Sequence, residues 1–193
     1  MILLDGNSLS IEDIVAIGIG DKQVALAADA LERCRASRIF LEEEIAARRI
    51  IYGVNTSFGP MCNKIIEDSE VEALQVNLIR SHAAGLGEPL KPYIAIGVLV
   101  IRLNTLLKGF SGVRIELLEL MKEMINRRIA PFIPECGSVG ASGDLIHLAH
   151  MALGLIGEGR LYDGETLKPA DEVLKAHGLA PMRLSYKEGI ALI

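Results

Sequence analysis

The sequence contains no tryptophan, and only 4% of its residues are aromatic. Its core must therefore be aliphatic, built from Ala, Leu, Ile and Val, which suits packed helices. Basic residues are also scarce: 20 Lys and Arg against 25 Asp and Glu leave a net charge of −5. No basic field exists to hold nucleic acid or an anionic membrane. The three cysteines, Cys34, Cys62 and Cys136, are odd in number, widely spaced and without metal-ligand spacing. They read as reduced thiols. Long hydrophobic runs are missing too. The longest wholly apolar stretch, Tyr93 to Ile101, falls well short of the roughly 20 residues a membrane span needs. Met1-Ile-Leu-Leu-Asp5 meets an acid too early to form a signal-peptide core. These absences predict a soluble cytoplasmic protein with neither nucleic acid nor membrane as partner.

What is present reads mainly as helices joined by glycine-rich loops, in 193 residues that suffice for one domain with a real core. Ser10-Ile-Glu-Asp13 predicts a capping box opening a short helix that stops near Gly18. Residues 22–48 show helical spacing, with Glu42-Glu-Glu44 and Arg48-Arg49 as a solvated face. Ser69 and Glu72 predict a second capping box. The helix it opens has an apolar stripe of Val71, Leu74 and Leu78, His82 on the same face, and Gly85 and Gly87 ending it. Residues 92–107 are apolar nearly all round, as in a helix buried in a bundle, and 113–128 read as an amphipathic helix. Asp144 opens a further helix to about Ile156. A hairpin around Asp163-Gly164 and a short helix over 169–176, closed by Gly178, complete the reading.

Two glycine-rich loops, 52–59 and 137–143, each precede a helix. No Lys follows either as in a phosphate-binding P-loop, and neither has Gly-x-Gly-x-x-Gly spacing after a strand, so a phosphate cradle is a weak reading. The stretch Pro134-Glu-Cys-Gly-Ser-Val-Gly-Ala-Ser-Gly-Asp-Leu145 instead resembles the signature of the histidine/phenylalanine ammonia-lyase family of aromatic amino acid lyases. Tyr52-Gly-Val-Asn-Thr-Ser-Phe-Gly59 is similar to that family's tyrosine loop, and Asn77-Leu-Ile-Arg-Ser-His-Ala-Ala-Gly85 to its substrate-ring helix. Lys187-Glu-Gly-Ile-Ala-Leu-Ile193 also fits, so the resemblance spans the chain.

The resemblance implies a mainly α fold of the fumarase/aspartase-like helical superfamily, with minor β. Residues 1–193 would form a single N-terminal, electrophile-bearing lyase domain, and the family's C-terminal helical region, with its substrate-carboxylate Arg, would be absent. It implies a 4-methylidene-imidazol-5-one formed autocatalytically from Ala141, Ser142 and Gly143, with no external cofactor and no metal. The residue types suit that chemistry: the Gly143 nitrogen must reach the Ala141 carbonyl, an approach easiest without a Cβ, and Ser142 has a hydroxyl to lose. The product is an electrophile, which ordinary side chains do not provide.

By resemblance, Tyr52 is the base that removes the substrate's β proton. A free phenol ionises only near pH 10, so base work at neutral pH requires a site that favours the phenolate. Asp144 would assist cyclisation or orient its loop, or serve as a plain helix N-terminal acid. His82, with Asn55 and Gly59, would form the substrate side. Ser81-His82 resembles the histidine-using members; phenylalanine-using members tend to have Phe-Leu and tyrosine-using members His-Leu. An imidazole can hydrogen-bond a substrate imidazole, whereas a phenyl ring offers it no partner. The implied activity is elimination of ammonia from a small amino acid, L-histidine, to give urocanate, in a full-length homotetramer. Open alternatives are a lyase or aminomutase for another aromatic amino acid, or a catalytically silent fragment. The sequence departs from the pattern at Ser57, where Gly is commoner, and at Ile146-His147, in place of Ala-Pro. His147 reads as a core or interface residue, and His150 and His177 as structural ones.

Overall fold

A computed structural model describes residues 1–57, 66–140 and 143–193. The fold is mainly helical with minor strands, in the order β1 (Ile2–Leu4), α1 (Ile11–Ile19), β2 (Val24–Leu26), α2 (Ala28–Ala46), α3 (Val71–His82), β3 (Leu86–Pro89), α4 (Pro92–Leu106), α5 (Ile115–Asn126), β4 (Ala130–Pro131), β5 (Pro134–Cys136), α6 (Leu145–Leu155), β6 (Arg160–Asp163), β7 (Thr166–Pro169), α7 (Ala170–Ala176) and α8 (Glu188–Leu192).

The centre is α4. Pro92 occupies its first turn, where a missing N–H costs nothing. Ala95, Ile96, Leu99, Val100 and Leu103 are fully buried against α1, α5, β4 and α6. Burying each of the larger aliphatic side chains is worth about 1.5–3 kcal/mol. Contact with α1 is backbone-close: a Cβ on Gly18 would lie 2.8 Å from the Tyr93 carbonyl oxygen. Helix α1 carries the expected capping box, Ser10 Oγ accepting from Asp13 N at 3.1 Å and Asp13 Oδ2 accepting from Ser10 N at 3.2 Å. It closes at Gly20, φ +96°, one turn element later than Gly18. Helix α5 buries Leu117, Leu118, Met121, Met124 and Ile125, and the predicted hairpin is β6–β7, with Asp163 opposite Thr166.

Three expectations need correction. Residues 22–48 are not one helix, because Val24–Leu26 pairs in parallel with Ile2–Leu4, and the Asn126 amide both accepts from Val24 N and donates to Val24 O. Long-range pairing overrides local helical spacing here. Ser69 does not cap α3: it lies inside a 3₁₀ turn, Asp68–Glu70, and Glu72 pairs with Arg183 at 2.7 Å instead. The buried line of α3 is Val71, Gln75 and Ile79, while Leu74, Leu78 and His82 are half-buried. Gln75 occupies a buried position because its Oε1 accepts from Gly189 N at 2.9 Å and Ile190 N at 3.3 Å, under α8. The helix also ends at His82, ahead of Gly85 and Gly87, since residues 86–89 leave as a strand.

Helix α8 is fastened by charge. Glu188 is completely buried; it accepts from Arg114 Nη2 at 2.6 Å, Arg114 N at 3.0 Å and Ser185 N at 2.8 Å. Its neighbour Tyr186 donates its hydroxyl to Asp68 Oδ1. Residues 183–189 thereby join α3 to the start of α5. Removing one member of a buried ion pair strands the other and typically costs about 3–5 kcal/mol. The Arg114 side chain is 31% exposed and regains some water, so Glu188→Ala is expected to cost about 3 kcal/mol, measured by urea unfolding. Burial, with Asp68 beside it, pushes the Tyr186 phenol up to about 12. A group whose folded pKa is raised stabilises the fold below its unfolded pKa, and loses that contribution as pH rises to the folded value. Between about pH 10 and 12 the wild-type chain should thus lose stability more steeply than Tyr186→Phe, by thermal unfolding in parallel buffers.

Candidate active site

The chemistry-bearing loop leaves β5 at Cys136 and enters α6 at Asp144. Strand β5 runs antiparallel to β3, with Cys136 opposite Leu86 and Pro134 opposite Pro89. The loop therefore starts beside the residues that follow His82. The approach is backbone-close. A Cβ on Gly85 would lie 2.4 Å from Pro134 Cγ, and one on Gly137 would lie 2.7 Å from Ile146 Cγ2 and 3.3 Å from the Gly85 Cα. Contacts under 3.0 Å are steric overlap, so these positions exclude a side chain.

Asp144 stands at the N-terminal boundary of α6, yet its side chain does not cap that helix. Its Oδ1 turns back into the loop, accepting from Ser138 Oγ and from Gly140 N at 3.1 Å. Of the roles read from the sequence, orientation of the loop is the one its geometry displays. Ser138 was not singled out by the sequence; a serine six residues before an aspartate in a glycine-rich run carries no local signal of this contact. Ala141 and Ser142 lie outside the described residues. Gly140 and Gly143 have φ of +66° and +95°, a region that suits residues without Cβ. A Cβ on Gly143 would meet only Leu145 Cδ2, at an ordinary 3.5 Å. Among the described residues, a Cβ on Gly140 would likewise meet only Asp144 Oδ1, at 3.9 Å.

His82 closes the last turn of α3. Its Nδ1 lies 2.8 Å from the Leu78 carbonyl oxygen and 3.1 Å from Ser81 Oγ, whose hydroxyl donates to the same carbonyl at 2.9 Å. A carbonyl oxygen only accepts, so Nδ1 carries the proton, and in the neutral ring Nε2 is left as an acceptor. The two other histidines of this corner belong to α6. His150 Nε2 accepts from Gly85 N at 3.0 Å, and His147 Nε2 lies 3.4 Å from the Glu135 carbonyl oxygen. His147 is half-buried beside β5 rather than a core residue. His177, on the far side, pairs with Asp163 at 3.1 Å, as a structural histidine would.

The tyrosine loop is fixed elsewhere. Asn55 spends both ends of its amide on that loop, Oδ1 accepting from Ile51 N at 2.8 Å and Nδ2 donating to Arg49 O at 2.7 Å. Both contacts lie within the loop, as for a residue that shapes it. Asn55 O accepts from Ile66 N at 3.0 Å, which anchors the loop just ahead of α3. Tyr52 is 59% exposed. Phe58 and Gly59 lie outside the described residues. The structure thus brings the segment just past His82, at the C-terminal end of α3, against Gly137 of the electrophile loop, and anchors the Tyr52 loop ahead of its N-terminal end. Twelve helical residues separate the two ends by about 18 Å.

Among the described residues no helix is long and apolar enough to cross a membrane. A family model described as "Aromatic amino acid lyase" matches residues 9–193. The chain is 48% identical over 191 residues to a histidine ammonia-lyase of Staphylococcus aureus (strain JH9), covering 98% of this chain and 38% of that protein. It thus spans well under half the length of the curated relatives it matches. Among solved structures it resembles a histidine ammonia-lyase from Trypanosoma cruzi (TM-score 0.91, 38% identity, 100% of this chain and 38% of that one). It also resembles a tyrosine aminomutase from Streptomyces globisporus (TM-score 0.91, 35% identity, 100% and 36%). Taken with the loop geometry, the match over residues 9–193 places this chain in the aromatic amino acid lyase family.

Proposed function

We propose that the chain supplies the electrophile-bearing part of an ammonia-lyase that converts L-histidine to urocanate and ammonia, working in the cytoplasm. The observation that carries the reading is His82. Its Nδ1 is committed to Leu78 O, so in the neutral ring Nε2 is left as an acceptor, suited to an imidazole N–H. The 48% identity to a histidine ammonia-lyase supports the same substrate.

The electrophile would arise from Ala141, Ser142 and Gly143. The Gly143 amide nitrogen attacks the Ala141 carbonyl carbon, and ring closure releases that oxygen as water. Ser142 then loses its hydroxyl and α hydrogen as a second water, leaving an exocyclic methylene. The left-handed φ values of Gly140 and Gly143 and the Asp144 contacts to Ser138 and Gly140 support the fit, because they hold the flanking backbone in a turn without crowding it. Such a 4-methylidene-imidazol-5-one, held by the backbone at Ala141, Ser142 and Gly143, would supply an electrophilic carbon for the substrate amine, the chemistry that makes nitrogen a better leaving group. Tyr52 removes the β proton as ammonia departs. His82 fixes the ring so that this proton faces the base. No external cofactor enters the reaction.

Helix α3 rises about 18 Å from its start to His82, and the Tyr52 loop is anchored ahead of that start; with Tyr52 exposed, this supports a site that combines segments from more than one chain. The homotetramer implied by the family pattern provides such an arrangement. Given L-histidine, the complete assembly should release urocanate and ammonia in equal amounts. Turnover of phenylalanine or tyrosine alone would overturn the substrate, and a β-amino acid product would make the enzyme an aminomutase. The intact mass should be lighter than the sequence by two waters; Ser142→Ala should not show that loss and should deaminate only at background. Tyr52→Phe should keep the mass loss while kcat falls about 10²–10⁴-fold. Retained turnover in Ser142→Ala would end the proposal.

A further inference from the structure

His150 has no part in the reaction above, and the sequence reads it as structural. Its surroundings give it a more definite task. Its Nε2 accepts from the backbone N–H of Gly85 at 3.0 Å, across 65 residues of sequence. Gly85 is the point where the chain leaving His82 turns into β3, against Pro134 and Cys136 of β5. The imidazole is itself held edge-on to Phe132, with ring centroids 5.9 Å apart and planes at 71°, and the Arg160 guanidinium covers the Phe132 ring at 4.4 Å. A ring oriented this way presents a lone pair in a fixed direction.

Helix α6 also touches the other side of the site. Asp144 at its start holds Ser138 and Gly140, and Ile146 packs against Gly137. One rigid helix thus grips the electrophile loop by its first turn and the end of the substrate-ring helix by His150. We propose that His150 is a positioning residue that sets the spacing between the His82 side chain and loop residues 137–140. The inference rests on the reading of His82 as the substrate-ring contact. It goes beyond that reading by naming what holds His82 in register. Burial, with His147 close by, pushes the His150 imidazole below the ordinary histidine range, which keeps Nε2 available as an acceptor.

The test uses His150→Leu and His150→Gln in the complete enzyme, since a glutamine amide oxygen restores an acceptor at similar reach and leucine does not. Two quantities are read: hydrogen exchange at the Gly85 amide, and kcat and KM for L-histidine. His150→Leu should speed Gly85 exchange on the order of tenfold, as expected for loss of one net hydrogen bond. It should also raise KM by a similar factor while kcat changes less, and His150→Gln should return both toward wild type. Unchanged exchange in His150→Leu would remove the anchor. Faster exchange with unchanged KM would leave an anchor that positions nothing, and the proposal would fall. Should the leucine variant not fold, His150→Asn decides with His150→Gln: the shorter asparagine should speed Gly85 exchange and raise KM together while glutamine leaves both near wild type, and wild-type values in both variants refute the inference. A wild-type enzyme that ignores histidine would overturn the lyase reading, while Gly85 exchange would still decide whether His150 holds the turn.

Discussion

The site depends on a steric constraint: two stretches of backbone, at Gly85 and Gly137, meet with no side chain between them. The overlaps that any Cβ would create there, 2.4 Å to Pro134 Cγ and 2.7 Å to Ile146 Cγ2, leave glycine as the residue that fits without displacement. Because strands β3 and β5 are short, their pairing alone is a weak fastening. It becomes specific through the packing of α3 on α6 and through the Gly85–His150 hydrogen bond. The turn that follows His82 is therefore tied directly to the helix beneath it.

Those helices are in turn held by a centre with almost no aromatic content. Dense aliphatic packing around α4 fixes distances without fixing any polar geometry. Orientation comes from a small number of buried polar contacts, Glu188 with Arg114 and Gln75 with residues 189–190. The buried ion pair is weak evidence for net stability, since two charges lose water to make it. Its value is directional: an α8 slipped by one residue would leave Glu188 and Arg114 unpaired and the Gln75 oxygen without its donors.

Much of this was legible in the sequence where a local rule applied. Ser10 with Asp13, Pro92 opening α4 and the Gly164 turn of the hairpin each belong to interactions within a few residues. The motifs at 52–59, 77–85 and 134–145 gave the family, because their chemistry demands particular residue types. Failures came where partners are distant. Val24–Leu26 is a strand because of Ile2–Leu4 and Asn126, and Glu72 answers to Arg183 rather than to Ser69. Gln75, which no local rule singles out, is wholly buried because it serves α8.

The selectivity of the proposed site turns on which nitrogen of His82 keeps its proton. An acceptor at Nε2 prefers a ring that can donate, and a phenyl ring would leave it buried beside substrate without a partner. Sites built to hydrogen-bond a substrate donor discriminate strongly against analogues lacking it, although a half-buried histidine retains some water and relaxes that preference. An acceptor alone does not separate imidazole from phenol, since both donate. Ser81 adds the difference in rigidity. Its hydroxyl shares the Leu78 carbonyl and lies within 3.1 Å of Nδ1, so the ring has two neighbours resisting rotation. An aliphatic residue at that position would leave one.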